Sequence, residues 1–195
     1  MLDDRKQIIS WSLYDWANST FSTTVMAGFF PIFFQQYWST ATDVTVSTWY
    51  LGLANSLASI AVASLAPFLG AIADKASVKK RLLIFFAFIG IISTGALSMV
   101  GQGYWKIAAV FYVVASVGFM SANIFYDSLL PSVASKQKRD FVSSLGYSLG
   151  YIGGGILFLV NVAMYLKPQF FGIADAPSAI KLSFLTVAVW WAIFT

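Results

Sequence analysis

Asp15, Asn18, Ser19 and Ser22 lie close together in the stretch "SLYDWANSTFS". At about 100° per residue they fall within one arc of roughly 100° on a helix. A carboxylate beside an amide and two hydroxyls can hold an amine, carry a proton or order water. The residues that follow are strongly apolar, so these polar groups open a segment suited to lipid. A charged carboxylate inside hydrocarbon costs a few kcal/mol on insertion scales. The face must therefore look onto water, a partner or the interior of a bundle. Either Asp15 and Asn18 tie this helix to a neighbour by hydrogen bonds, or they border the path of a solute. The residues alone leave both readings open.

The other acid within an apolar stretch is Asp127, in "NIFYDSLLP", just before Pro131 and a basic loop. Its plain reading is a shallow acid paired with a loop lysine or arginine. Other chemistries are excluded by composition. The chain has no Cys and no His, and all eight of its acids are Asp. Thiolate and imidazole chemistry, disulfides and the usual metal sites are absent with them. No phosphate-binding P-loop is present, and no cofactor is expected. Enzymatic activity is not expected either.

The elements that carry these residues belong in a bilayer. The chain is 58% hydrophobic and 10% charged, with a mean hydropathy of +0.75. A soluble domain is about a quarter charged. A span needs roughly 20 mostly apolar residues. Residues 8–38, 47–73, 82–101, 106–131 and 141–166 qualify, and a further apolar run covers 181–195. The first is long, and tilt, a kink at Pro31 or an interfacial first turn would absorb the excess. The last is short for a membrane helix, so a fragment of a longer protein is expected. Trp38, Trp49, Trp105 and Trp190 fall near span ends, where indole rings favour the interface.

Cations orient the spans. Arg5, Lys6, Lys75, Lys79, Lys80, Arg81, Lys136, Lys138 and Arg139 fall on one side, and Lys106, Lys167 and Lys181 on the other. That bias places the N-terminus in the cytoplasm. The net charge of +4 does not indicate a nucleic-acid partner, because the bases sit in short loops between apolar spans.

Two motifs are more specific. "GAIADKASVKKR" gives Gly70-x-x-x-Asp74-Lys75 followed by Lys79, Lys80 and Arg81. It resembles the loop 2–3 signature of the major facilitator superfamily, with Ser77 in place of its second glycine and Val78 in place of a base. The resemblance implies that Gly70 permits close helix approach. It also implies that Asp74, Lys75, Lys79, Lys80, Arg81 and Asp127 form a cytoplasmic ion-paired latch; without it, the basic residues only set topology. "GYSLGYIGGG" places Gly146, Gly150 and Gly154 at four-residue steps, with Gly153 beside them. Such faces let backbones pack closely. It is similar to the fifth-helix glycine signature of the superfamily's antiporters, with Tyr151 where that signature has proline.

Together with "SLYDWANSTFSTTVMAGFFPIFF" and "FYDSLLP", these stretches resemble the vacuole-effluxer-like branch of the superfamily. That implies an all-α fold whose N-terminal half, residues 1–195, has six membrane helices in two inverted three-helix repeats. It also implies export of amino acids or similar small solutes by alternating access. The partners would be a solute, the lipid bilayer, and a C-terminal six-helix half or a second copy. The location would be a bacterial inner membrane, or a vacuolar membrane in a eukaryote. Two rivals stay open. Tyr14-Asp15 and Tyr126-Asp127 echo half of an intramembrane aspartyl protease site, although its Gly-x-Gly-Asp partner is missing. A non-transporting membrane partner, or a half-size unit that dimerises, is the other.

Overall fold

The computed structural model describes residues 2–73 and 78–195. Among these, every regular element is helical. Six long helices follow in order: α1 (residues 5–38), α2 (Val44–Ala73), α3 (Lys79–Leu97), α4 (Trp105–Val133), α5 (Arg139–Leu166) and α6 (Ala176–Phe194). A short 3₁₀ turn, Pro168–Phe171, joins the last two. The helices α2 to α6 are each long and apolar enough to cross a membrane. With α1, whose length of up to about 50 Å exceeds the hydrocarbon thickness, they make a multi-pass all-α membrane bundle.

Capping residues decide where these helices begin. Asp4 accepts from the N–H groups of Lys6 and Gln7, both at 3.0 Å, and starts α1. Asp43 accepts from Thr45 N–H at 2.8 Å and starts α2. Asp175 accepts from Ser178 N–H at 2.8 Å, and Pro177 fits the first turn because its missing N–H would be unpaired there anyway. The last helix therefore begins at Ala176, upstream of the apolar run at 181. Its 19 residues span about 28 Å. The Ser178 side chain and backbone donors hold the Asp175 carboxyl below its ordinary range.

The excess length of α1 is taken up by wider winding. Arg5–Thr20 is ordinary α-helix, Phe21–Phe29 and Phe34–Trp38 are π-helical, and Phe30–Phe33 lies between them. Two causes are visible in the sequence. Pro31 has no N–H to give to the ladder. The hydroxyls of Thr20, Ser22 and Thr23 donate back to Ala17 O, Ser19 O and Ser19 O, which draws carbonyls away from regular α bonds.

Packing follows a simple exchange pattern. Contacts pair α1 with α5 and α6, α4 with α2 and α3, and α3 with α6. Exchanging α1, α2 and α3 for α4, α5 and α6 maps these pairs onto each other, as two related three-helix units require, while α5 also meets α6 without an α2–α3 contact of similar extent among the described residues. Glycines set the closest crossings. A Cβ on Gly118 of α4 would lie 2.6 Å from Gly90 N of α3. On α5, a Cβ at Gly146 would meet Trp11 at 2.8 Å, one at Gly153 would meet Trp16 at 2.7 Å, and one at Gly154 would meet Thr23 at 3.0 Å. A Cβ on Gly70, assigned a close-approach role by its motif, would meet nothing within 4 Å among the described residues. No described helix presses on it.

The tryptophans divide between core and surface. Trp49 is 62% exposed, as an interfacial ring should be, but Trp38 is fully buried. It stacks on Phe184 at 5.8 Å and its Nε1 donates to Val100 O at 3.4 Å. The wide winding at the end of α1 turns it inward. At the opposite end of the bundle, Asp3 ties the N-terminus to the α4–α5 loop. Its N–H donates to Val133 O at 2.9 Å, and its carboxylate accepts from Ser135 N–H at 2.9 Å. The Ser135 backbone donor and, beyond it, Lys138 at 3.7 Å hold that carboxyl below its ordinary range.

Candidate functional site: a polar cavity between three helices

One face of the bundle carries a polar cavity of about 230 Å³ bordered by α1, α4 and α5. From α1 come Asp15, Asn18, Ser19 and Ser22, with Thr23 beside them. Phe119 and Asn123 come from α4, and Tyr147, Gly150 and Tyr151 from α5. The glycine face of α5 makes the space. A Cβ on Gly150 would lie 2.6 Å from Ser19 Oγ and 3.0 Å from Asp15 Cγ. Tight α1–α5 packing and an open cavity therefore depend on the same residue.

Asp15 and Asn18, neighbours on the α1 face, are placed differently. Asn18 is buried at 1% exposure, and its side-chain amide donates to Asn123 Oδ1 across the α1–α4 crossing. Asp15 has no such cross-helix bond among the described residues. Its one hydrogen bond is from Ser19 Oγ, one turn along its own helix, at 3.2 Å. Cross-helix bonding thus accounts for Asn18 and leaves the carboxylate at the cavity. No hydrogen bond joins Asp15 to Asp127 among the described residues.

Nearer the N-terminus of α1, aromatic rings pack α1 against α4. Trp11 stacks on Tyr126 at 4.3 Å and donates from Nε1 to Tyr126 O at 3.0 Å. Thr23 Oγ1 reaches Gly154 O at 3.4 Å on the far side. Asn123, Tyr147 and Tyr151 were not singled out from the sequence as lining residues. Asn123 carries a signal of the same kind as Asn18, an amide inside an apolar span. The tyrosines carry none, because aromatic residues on a membrane helix are common.

The proposed latch residues are arranged differently from the motif. Lys79 Nζ donates to Ser128 O at 2.8 Å, so it holds the end of α4 through a backbone carbonyl. Asp127 is exposed and joins no ion pair among the described residues, where the pair found is Lys138 with Asp3. Lys80 borders a separate cavity with Trp11, Tyr14 and Tyr126, and Arg81 is exposed. Asp74 and Lys75 lie outside the described residues.

Six membrane helices in exchangeable three-helix units, with a polar cavity on one face, define the class: the N-terminal half of a major facilitator superfamily fold. The family model described as "Vacuole effluxer Atg22 like" matches residues 39–195, and the chain belongs to that family. It is 38% identical over 192 residues to the MFS-type transporter YxiO of Bacillus subtilis, covering 97% of this chain and 45% of that protein. It is 28% identical over 187 residues to a protein of Aquifex aeolicus, covering 95% and 45% respectively. A fungal relative, autophagy-related protein 22 of Eremothecium gossypii, is 24% identical over 130 residues, covering 60% of this chain and 24% of its own length. The chain thus spans less than half the length of the curated relatives it matches. No solved structure matches it.

Proposed function

We propose that this chain is the N-terminal half of a secondary active transporter that moves amino acids or similar small solutes by alternating access. One observation carries the proposal: a carboxylate within a membrane bundle borders a polar cavity and has no cross-helix partner among the described residues. Holding a carboxylate in this way is costly, and a solute or proton path accounts for it where packing does not. The name of the bacterial relative and the family's description as vacuole effluxer-like support the same class. In this scheme a second six-helix half, or a second copy, closes the cavity from the other side. The N-terminus and the loops rich in Lys and Arg face the cytoplasm, following the charge bias. The membrane is the bacterial inner membrane, or the vacuolar membrane in a eukaryote. The glycine face of α5 and the α1–α4 amide bond hold the cavity in shape.

The test is solute flux in proteoliposomes containing the full-length protein, with and without Asp15→Asn. Flux that falls at least tenfold in the variant, with its melting temperature preserved, supports the assignment. Flux and pH dependence unchanged from wild type would remove Asp15 from the path.

A further inference from the structure

The charges at this cavity all have one sign. Asp15 is the acid on its lining, and no lysine or arginine lines it among the described residues. The described cations lie in the N-terminal segment, in loops or near helix ends. An anionic guest would face Asp15 without a counter-charge from this half, while a cationic guest would supply one. Aromatic rings stand on two sides. Tyr147 and Tyr151, one turn apart on α5, are 64% and 78% exposed, so packing within this half does not account for them. Phe119 faces the same space from α4. Ring faces attract ammonium groups through their quadrupoles. Gly150 keeps the approach to the carboxylate clear, since a Cβ there would sit 3.1 Å from Asp15 Oδ2.

We propose that this cavity takes the ammonium end of an organic cation, with Asp15 as its counter-ion and Tyr147 and Tyr151 as the rings that flank it. The proposal rests on the reading of the cavity as a solute site and goes further, because it fixes the sign of the guest's charge. A carboxylate carried by the same solute would have to be met from outside this half.

Three probes of like size separate charge from shape: 2-phenylethylamine, 3-phenylpropionate and 2-phenylethanol. Their binding to the protein in lipid nanodiscs is measured by calorimetry. The amine is expected to bind at least tenfold more tightly than the alcohol, a difference of about 1.4 kcal/mol, and the carboxylate more weakly than either. Asp15→Asn should remove the amine's advantage and leave the alcohol unchanged. Tyr147→Leu and Tyr151→Leu should each weaken the amine severalfold. Carboxylate binding as tight as the amine's, or amine binding unchanged by Asp15→Asn, would overturn the proposal. If Asp15→Asn fails to fold, the ranking of the three probes on the wild-type protein still decides. Amine binding without flux of 2-phenylethylamine in proteoliposomes would keep the charge selection and count against transport.

Discussion

Replacing Gly118 by Ala places one methyl group where α3 and α4 already touch. The added Cβ would lie 2.6 Å from Gly90 N, 2.8 Å from Phe86 O and 2.9 Å from Gly90 Cα. All three neighbours are backbone atoms, so no rotamer change relieves the contact. The helices must separate by roughly 0.5–1 Å to restore ordinary van der Waals distances. Gly90 cannot retreat freely, because its own Cβ direction is filled by the Trp191 ring at 2.5 Å. Overpacking of this kind costs about 1–3 kcal/mol. For a chain of this size that is a fall in melting temperature of roughly 3–10 °C. Thermal unfolding in one fixed detergent, followed by helical circular dichroism, measures it. Gly155→Ala is the control. Its Cβ would meet nothing within 4 Å, so better helix propensity should leave it neutral or stabilise it by up to about 1 kcal/mol. Equal melting temperatures for the two variants would refute the close α3–α4 crossing.

Other outcomes follow from the same contacts. In a double-mutant cycle with Asn18→Ala and Asn123→Ala, the coupling should be about 0.6 kcal/mol and at most roughly 1.7, the range for membrane hydrogen bonds; zero coupling would mean that the amides do not pair. The Asp3 carboxyl is held below its ordinary 3.8 by Ser135 and Lys138. Its contribution is complete above that ordinary value and is lost as pH falls through the lowered one. Asp3→Asn should therefore speed amide exchange at Ser135 at neutral pH, and the difference should vanish in strong acid. Trp38→Ala should cost about 3–5 kcal/mol and Trp49→Ala no more than about 0.5, read as melting temperatures. Similar losses for both would place Trp38 at the surface.

Much of this arrangement was legible from residue types because membrane folding has few options. Long apolar runs must become helices, and a carboxylate within one must face something polar. That logic located Asp15, Asn18, Ser19 and Ser22 on a single face, and the structure brings all four to one cavity. Small residues at four-residue steps marked the α5 surface that meets α1. The rest depended on partners that periodicity does not reveal. Nothing in "ANIFYD" says that Asn123 meets Asn18 rather than a different helix. Gly90 and Gly118 lie on different helices and form no repeat within either, so their contact is a tertiary fact. Trp38 read as interfacial because rings near span ends usually are, and only the change of winding in α1 sends it inward. Lys79 looked like half of an ion pair, yet a carbonyl one residue past Asp127 receives it.

The π-helical stretches divide α1 into two parts with different tasks. Each wide turn consumes roughly one residue more than an α turn, so by Phe30 the surface that faces inward lags by about two residues. Upstream, the inward surface bears Asn18 and the Asp15 carboxylate. Downstream it bears Phe30 stacked on Tyr112 at 3.9 Å and Phe33 edge-on to Phe184. A residue added or removed within Phe21–Phe29 would consequently swivel the aromatic end about the helix axis while the polar end kept its bearing. One continuous rod thus behaves as two segments on a common shaft, each answering to its own neighbours.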